Sequence, residues 1–179
     1  GETSKWRLKG HAETEFWKWL SSWAVYIRKP SDLGYSDDDF ELPEKTETLH
    51  QIEGFPAEGY LFPMPAATLD EQRKVKRNSL SERVKACADL VNSKAFGYWV
   101  VWAELNDEAD ALEKAIRGAV QIAGKDSASE KERKLIEFSR GQFRVLVTKA
   151  SIAGFGMNWQ HCNQMAFVGL SHSYEDLYQ

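Results

Sequence analysis

The sequence predicts an α/β protein, a parallel sheet with helices on both faces, preceded by a helical linker region. Three observations predict it. From residue 98 onward, apolar runs alternate with helical patterns, and strands alternating with helices of about 10–15 residues build βαβ units. The run at 98–105, YWVVWAEL, is almost continuously apolar, as a strand buried on both faces must be. Near the end of the chain come a strand at 143–147, a glycine-containing turn at 154–158 and a strand at 165–170. That layout presents a loop at the carboxyl edge of a parallel sheet, where open α/β proteins bind ligands.

The elements follow in order. Residues 12–28 place Phe16, Leu20, Trp23, Ala24 and Ile27 at helical spacing, with Thr14 or a residue before it as cap and Pro30 as the stop. Residues 29–43 are polar and turn-rich and read as a loop; Asp37, Asp38 and Asp39 are consecutive, so regular structure cannot turn all three toward one ion. Residues 45–53 alternate and predict a strand, and the Pro/Gly-rich stretch at 54–67 predicts an irregular connector. Residues 68–94 predict helix, with Leu80, Val84, Cys87, Ala88 and Val91 as its apolar stripe. Its Arg73, Lys74, Lys76 and Arg77 form the densest basic cluster, read as a solvated face or a phosphate-binding patch.

After the strand at 98–105, Asn106 or Asp107 caps a helix whose inner face is Ala109, Leu112 and Ile116. Residues 119–124 form the next strand. Ser127 or Ser129 then caps a helix that turns Leu135, Ile136 and Phe138 inward and ends at Gly141. The start of a further helix is expected after residue 170.

Composition narrows the function classes. Seven Trp, nine Phe and six Tyr suffice for a sizeable core, and a net charge of −4 gives no global nucleic-acid signature while leaving room for a local basic groove. Cys87 and Cys162 lack CxxC or CxxH spacing and read as two buried free thiols in an intracellular, cytoplasmic setting. No apolar run reaches the roughly 18–20 residues of a membrane span, and the first ten residues carry no signal-peptide core.

Most catalytic motifs are absent. There is no GxxxxGK[ST] phosphate loop in these residues, and Gly154-Phe-Gly156-Met-Asn158-Trp159 lacks the third glycine of a dinucleotide fingerprint. His11, His50, His161 and His172 make no ligand spacing, His161 and Cys162 are sequence neighbours that rarely face each other, and Ser171, His172 and Asp176 lack a G-x-S-x-G elbow. Gly154 and Gly156 form either a plain tight turn or a loop that aims N–H groups at a phosphate.

Taken in order, the motifs resemble those of the second RecA-like lobe of superfamily-2 DNA helicases and translocases. The resemblance runs from Trp99 to Gln179 and is closest to the Swi/Snf-like branch, especially helicase proteins carried by phages. YWVVWAELNDEADAL looks like motif IV, SEKERKLIEFSRGQFRVLVTK like the approach to motif V, and GFGMNW like motif V with Trp159 in place of the usual leucine. MAFVGLSHSYEDLYQ looks like the entry to motif VI, with Gln179 as its opening glutamine, and AVYIRKPSDLGYSDDDFELPEKTE is similar to the bridge between lobes.

The resemblance implies a bridge at 1–41 and a RecA-like lobe at 42–179 that breaks off within motif VI. It implies an ATP-dependent motor on DNA whose ATP, Mg²⁺ ligands and P-loop belong mainly to a first lobe expected before Gly1, with motif VI arginines expected after Gln179. Gly154, Gly156, Asn158 and Gln179 are then expected at the interlobe nucleotide cleft, and Thr148, Lys149 and Ser151 at the DNA backbone. The expected partners are DNA and the first lobe; no catalytic residue and no metal ligand is expected in these residues, which should not hydrolyse ATP alone. Two other readings stay open: the motor lobe of a restriction or nuclease system, and a non-catalytic α/β interaction module.

Overall fold

The computed structural model describes residues 8–25, 27–38, 44–52, 68–170 and 173. The chain divides into two compact units, residues 1–49 and 50–179.

In the first unit a 3₁₀ turn leads into α1, Glu13–Ser21. The helix predicted over 12–28 is therefore shorter at its C-terminal end. Ser21 and Ser22 turn their hydroxyls back to the carbonyls of Lys18 and Trp19, satisfying the backbone locally and ending the helix well before Pro30. Of the caps expected, Thr14 or a residue before it, the position falls to the earlier Ala12, which makes no side-chain bond. The predicted inner face is not buried: Phe16, Trp23 and Ile27 are exposed. Pro30 opens a 3₁₀ turn, Pro30–Leu33, that Gly34 closes at φ 81°. Asp37 accepts the Ser31 N–H at 2.8 Å and pairs with Lys29 at 2.9 Å. The lysine ammonium, followed by the Ser31 bonds, holds this carboxyl below its ordinary range. No strand forms over residues 44–52, because alternation alone cannot hold a strand without a neighbour to pair with; Leu49 is 93% exposed there. The connector at 54–67 lies outside the described residues.

The second unit contains the sheet. Helix α2, Leu69–Asn78, starts at Thr68, whose hydroxyl and the Glu71 carboxylate cap each other's backbone N–H groups. Ser79 interrupts the predicted long helix by bonding its hydroxyl to the Val75 carbonyl, and α3, Leu80–Ser93, follows. Strand β1 is Trp99–Trp102, α4 is Asn106–Ala115, β2 is Ala119–Gln121 and α5 is Ala128–Ser139. Strand β3 is Val145–Thr148, α6 is Ala150–Ala153 and β4 is Gln164–Phe167. The four strands are parallel in the order β2-β3-β1-β4, with Trp99 level with Val145 and Gln164, and Ala119 level with Val145.

The core lies on both faces of this sheet, as the continuous apolar runs require. Val84, Cys87, Ala88 and Val91 of α3, with Ala109 and Leu112 of α4 and neighbouring Ile116, cover Trp99, Val101, Val145 and Val147. On the opposite face Phe138 packs with Val100, Trp102, Ile122, Leu146 and Cys162. Phe138 turns inward as predicted, whereas Ile136 is exposed. Ser127 caps α5 reciprocally with Glu130, and Gly141 follows the helix at φ 69°.

The turn after β2 is tied to α5 by one carboxylate. Asp126 accepts the Ala123 N–H at 3.1 Å and the Lys134 ammonium at 2.7 Å, and Lys134 also reaches the Gln121 carbonyl at 2.8 Å. Burial opposes the Asp126 charge, but the Lys134 and Ala123 bonds outweigh it and lower its pKa from 3.8. A carboxylate with a depressed folded pKa stabilises the fold above its unfolded value, and that contribution is lost as pH falls through the folded one. Asp126→Asn is therefore expected to lose about 1.5–3 kcal/mol near neutral pH, and the gap from wild type to shrink below pH 3.8. Urea unfolding across pH checks this; a gap independent of pH would contradict it.

Candidate functional site

Because all four strands are parallel, their exits share one edge. There Glu104, in the loop after β1, and Asn106, the first residue of α4, come beside the segment after β3, in which Lys149 precedes α6 and Ser151 lies in its first turn. The Lys149 ammonium donates to the Asn106 side-chain oxygen at 2.6 Å. Asn106 is thus not the helix cap that its position suggested; Leu105 takes that place without a side-chain bond. A neutral amide holds the lysine in position while leaving its charge intact. Among the described residues no carboxylate pairs with Lys149, whose partner is the Asn106 amide.

The predicted site residues do not all reach this surface. Ser151 is exposed in the first turn of α6, and Gly156 and Asn158 are exposed beyond it. Thr148 is fully buried, with its hydroxyl donated to the Ile122 carbonyl at 3.3 Å; its place in the middle of an apolar strand end consumes the group that was expected at a phosphate. Gln179 lies outside the described residues.

The two glycines of the loop have different reasons. Gly154 has an ordinary φ of −74°, but a Cβ there would lie 2.5 Å from the Ala150 carbonyl oxygen. Gly156 sits at φ 72° in open space, a conformation other residues rarely adopt. The short helix α6, between strand and glycines, was not predicted; Lys149-Ala-Ser-Ile has no feature that separates one helical turn from a loop.

Four charged residues form a cluster at the same edge that motif reasoning largely passed over. Glu108 is fully buried and pairs with Arg83, while Lys76 pairs with Glu104 at 2.6 Å. The signal was present: Glu108 lies four residues before Leu112 on the inner stripe of α4, and Arg83 four before Cys87 on that of α3. In the basic cluster, Arg73 pairs with Asp70 at 3.2 Å, an exposed helix contact.

No thiol chemistry is built here. Burial, then the Glu108 charge, pushes the Cys87 thiol up to about 12, and burial raises Cys162. Cys162 donates to the Tyr98 and Gln164 carbonyls at 3.3 and 3.4 Å, while the His161 ring packs against Tyr98 and Phe138. Arg133 forms an i,i+4 pair with Glu137 at 2.7 Å. Among the described residues no group of three His, Cys, Asp or Glu side chains is placed to hold a metal ion, and no helix is long and apolar enough to cross a membrane.

Sheet order, helices on both faces and the loop at the carboxyl edge are those of a RecA-like fold. The chain shares this fold with the crystal structure of T4 UvsW, at TM-score 0.51 and 14% identity over 62% of this chain and 24% of UvsW. Further similar structures are the Hef helicase domain of Pyrococcus furiosus, at TM-score 0.42 and 17% identity over 57% of this chain and 23% of that one, and S. cerevisiae Dbp5 bound to Gle1 and IP6, at 0.38 and 10% over 65% and 44%. The chain spans about a quarter of the length of UvsW. No protein-family model and no curated protein matches it.

Proposed function

We propose that this chain is the second motor lobe of an ATP-dependent DNA helicase or translocase. The observation that carries the proposal is the Lys149 ammonium held at the ligand edge of a RecA-like sheet by the neutral Asn106 side chain. A cation fixed by a neutral amide, with no carboxylate paired to it among the described residues and an exposed hydroxyl, Ser151, two residues on, is suited to the phosphate backbone, which is bound by charge and positioned by such contacts. Thr148, with its hydroxyl engaged inside, supports that loop from below. Gly154, Gly156 and Asn158 lie in the loop that follows, Gly156 and Asn158 exposed, and in this proposal they are assigned to the cleft with a first lobe. The likeness in fold to T4 UvsW supports the same reading.

No GxxxxGK[ST] loop occurs in the chain, so in this reading the phosphate and Mg²⁺ ligands of ATP are not sought here. Those ligands are assigned to a first lobe. The isolated chain is accordingly expected to show no DNA-stimulated ATP hydrolysis in a phosphate-release assay; turnover above the buffer rate would contradict this assignment.

Phe155 and Met157, half exposed in the same loop, favour a second reading, a protein-interaction module. Fluorescence anisotropy with labelled DNA at low salt separates the two. Binding supports the motor lobe; a protein ligand captured with no DNA affinity supports the module.

A further inference from the structure

The exit of β4 is gripped by two cations from helices that precede the sheet in sequence. Arg83 uses all three guanidinium nitrogens inside the unit. Nη1 donates to the Glu108 carboxylate and to the Val168 carbonyl at 2.6 Å, Nη2 to the Lys76 carbonyl at 2.6 Å, and Nε to the Ser79 hydroxyl at 3.2 Å. The Lys76 ammonium donates to the Glu104 carboxylate and to the Leu170 carbonyl, both at 2.6 Å. The two carbonyls thus held flank Gly169. A Cβ at 169 would lie 2.8 Å from the Glu104 nitrogen, so only glycine lets the strands' exits approach this closely. The other Glu108 oxygen accepts the Glu104 N–H at 2.8 Å, and the Val168 and Gly169 N–H groups both point to the Trp102 carbonyl at 3.0 and 3.4 Å.

One buried carboxylate therefore joins the β1–α4 loop, the start of α3 and the exit of β4. Burying an ion pair is a weak source of stability compared with apolar packing, but its directional bonds fix relative placement. Two of those bonds, to the Val168 and Leu170 carbonyls, end on backbone outside regular structure at the ligand edge, where helix or strand bonds do not fix the chain.

We propose that Arg83, Lys76 and Glu108 are positioning residues: a clamp that sets the path of the chain leaving β4 relative to the β1–α4 loop, which leads directly into Asn106 at the start of α4 and through it to Lys149. The functional part rests on the reading of this edge as the DNA side of a motor lobe; the clamp itself does not.

Arg83→Lys tests it, because a lysine keeps the charge opposite Glu108 but lacks the fork that serves four acceptors. Amide hydrogen exchange on the whole chain should show Val168, Gly169 and Glu104 exchanging at least about tenfold faster, with Val100, Val101 and Leu146 at the wild-type rate. DNA affinity should fall roughly two- to thirtyfold at an unchanged salt slope. Equal acceleration of the exit and the sheet centre, or no acceleration, overturns the clamp. In Arg83→Met, which removes the charge, a salt slope reduced by about one means direct phosphate contact and overturns the positioning role. If wild type binds no DNA, the motor reading fails while the exchange result still decides the clamp. Should Arg83→Lys not fold, Lys76→Met, on the half-exposed arm, is read at the Gly169 amide in the same way.

Discussion

Glu108→Ala is expected to cost about 3–5 kcal/mol of stability, the range for breaking a buried pair by removing one partner. Arg83 stays behind with its side chain only 17% exposed, and the Glu104 N–H loses its acceptor. The cost is therefore that of an uncompensated charge and an orphan donor, not the net worth of the pair. The two contributions separate in the double variant Arg83→Met, Glu108→Leu. It removes both charges at similar volume and is expected to recover most of the loss. Urea unfolding of the three proteins checks this. A loss below about 1 kcal/mol for Glu108→Ala would show that water reaches Arg83, contrary to the burial seen.

Phe138→Ala is expected to cost about 3–5 kcal/mol, as for other fully buried aromatic side chains. Its ring is the centre of the second core layer, with centroids of Phe143 and Trp159 at 5.3 Å and His161 at 5.1 Å. These neighbours come from the β3 approach and from the loop after Gly156. Collapse into the void would have to move both. Phe138→Leu keeps most of the volume and is expected to cost under about 1.5 kcal/mol. A comparable loss for the two variants would mean that ring geometry, not volume, matters here.

Much of the second unit was legible in the sequence because its signals are local. Continuous apolar runs marked β1 and β3, Ser127 or Ser129 marked the start of α5, where Ser127 is the cap, and Gly141 marked its end. What was not legible depends on partners distant in sequence. Asn106 has a good cap's chemistry, but Lys149, 43 residues away, takes its side chain. Thr148 has a contact residue's chemistry, but the Ile122 carbonyl takes its hydroxyl. The Arg83–Glu108 pair lies on two apolar stripes, and stripe reading looks past charges. In the first unit, periodicity overstated α1, because a helical pattern records what a segment can bury and not what it does bury. The alternation predicted to form a strand at 45–53 forms none over its described residues, 45–52, for the same reason.

The salt dependence of DNA affinity, for wild type and Lys149→Ala, tests the motor-lobe reading most directly. The predicted result is measurable wild-type binding at low salt that falls steeply as salt rises. The slope of log affinity against log salt should be shallower by about one in the variant, the mark of one lost phosphate contact. Wild-type binding with an identical slope in the variant would remove Lys149 from the interface, and no binding at any salt would contradict a DNA-tracking lobe.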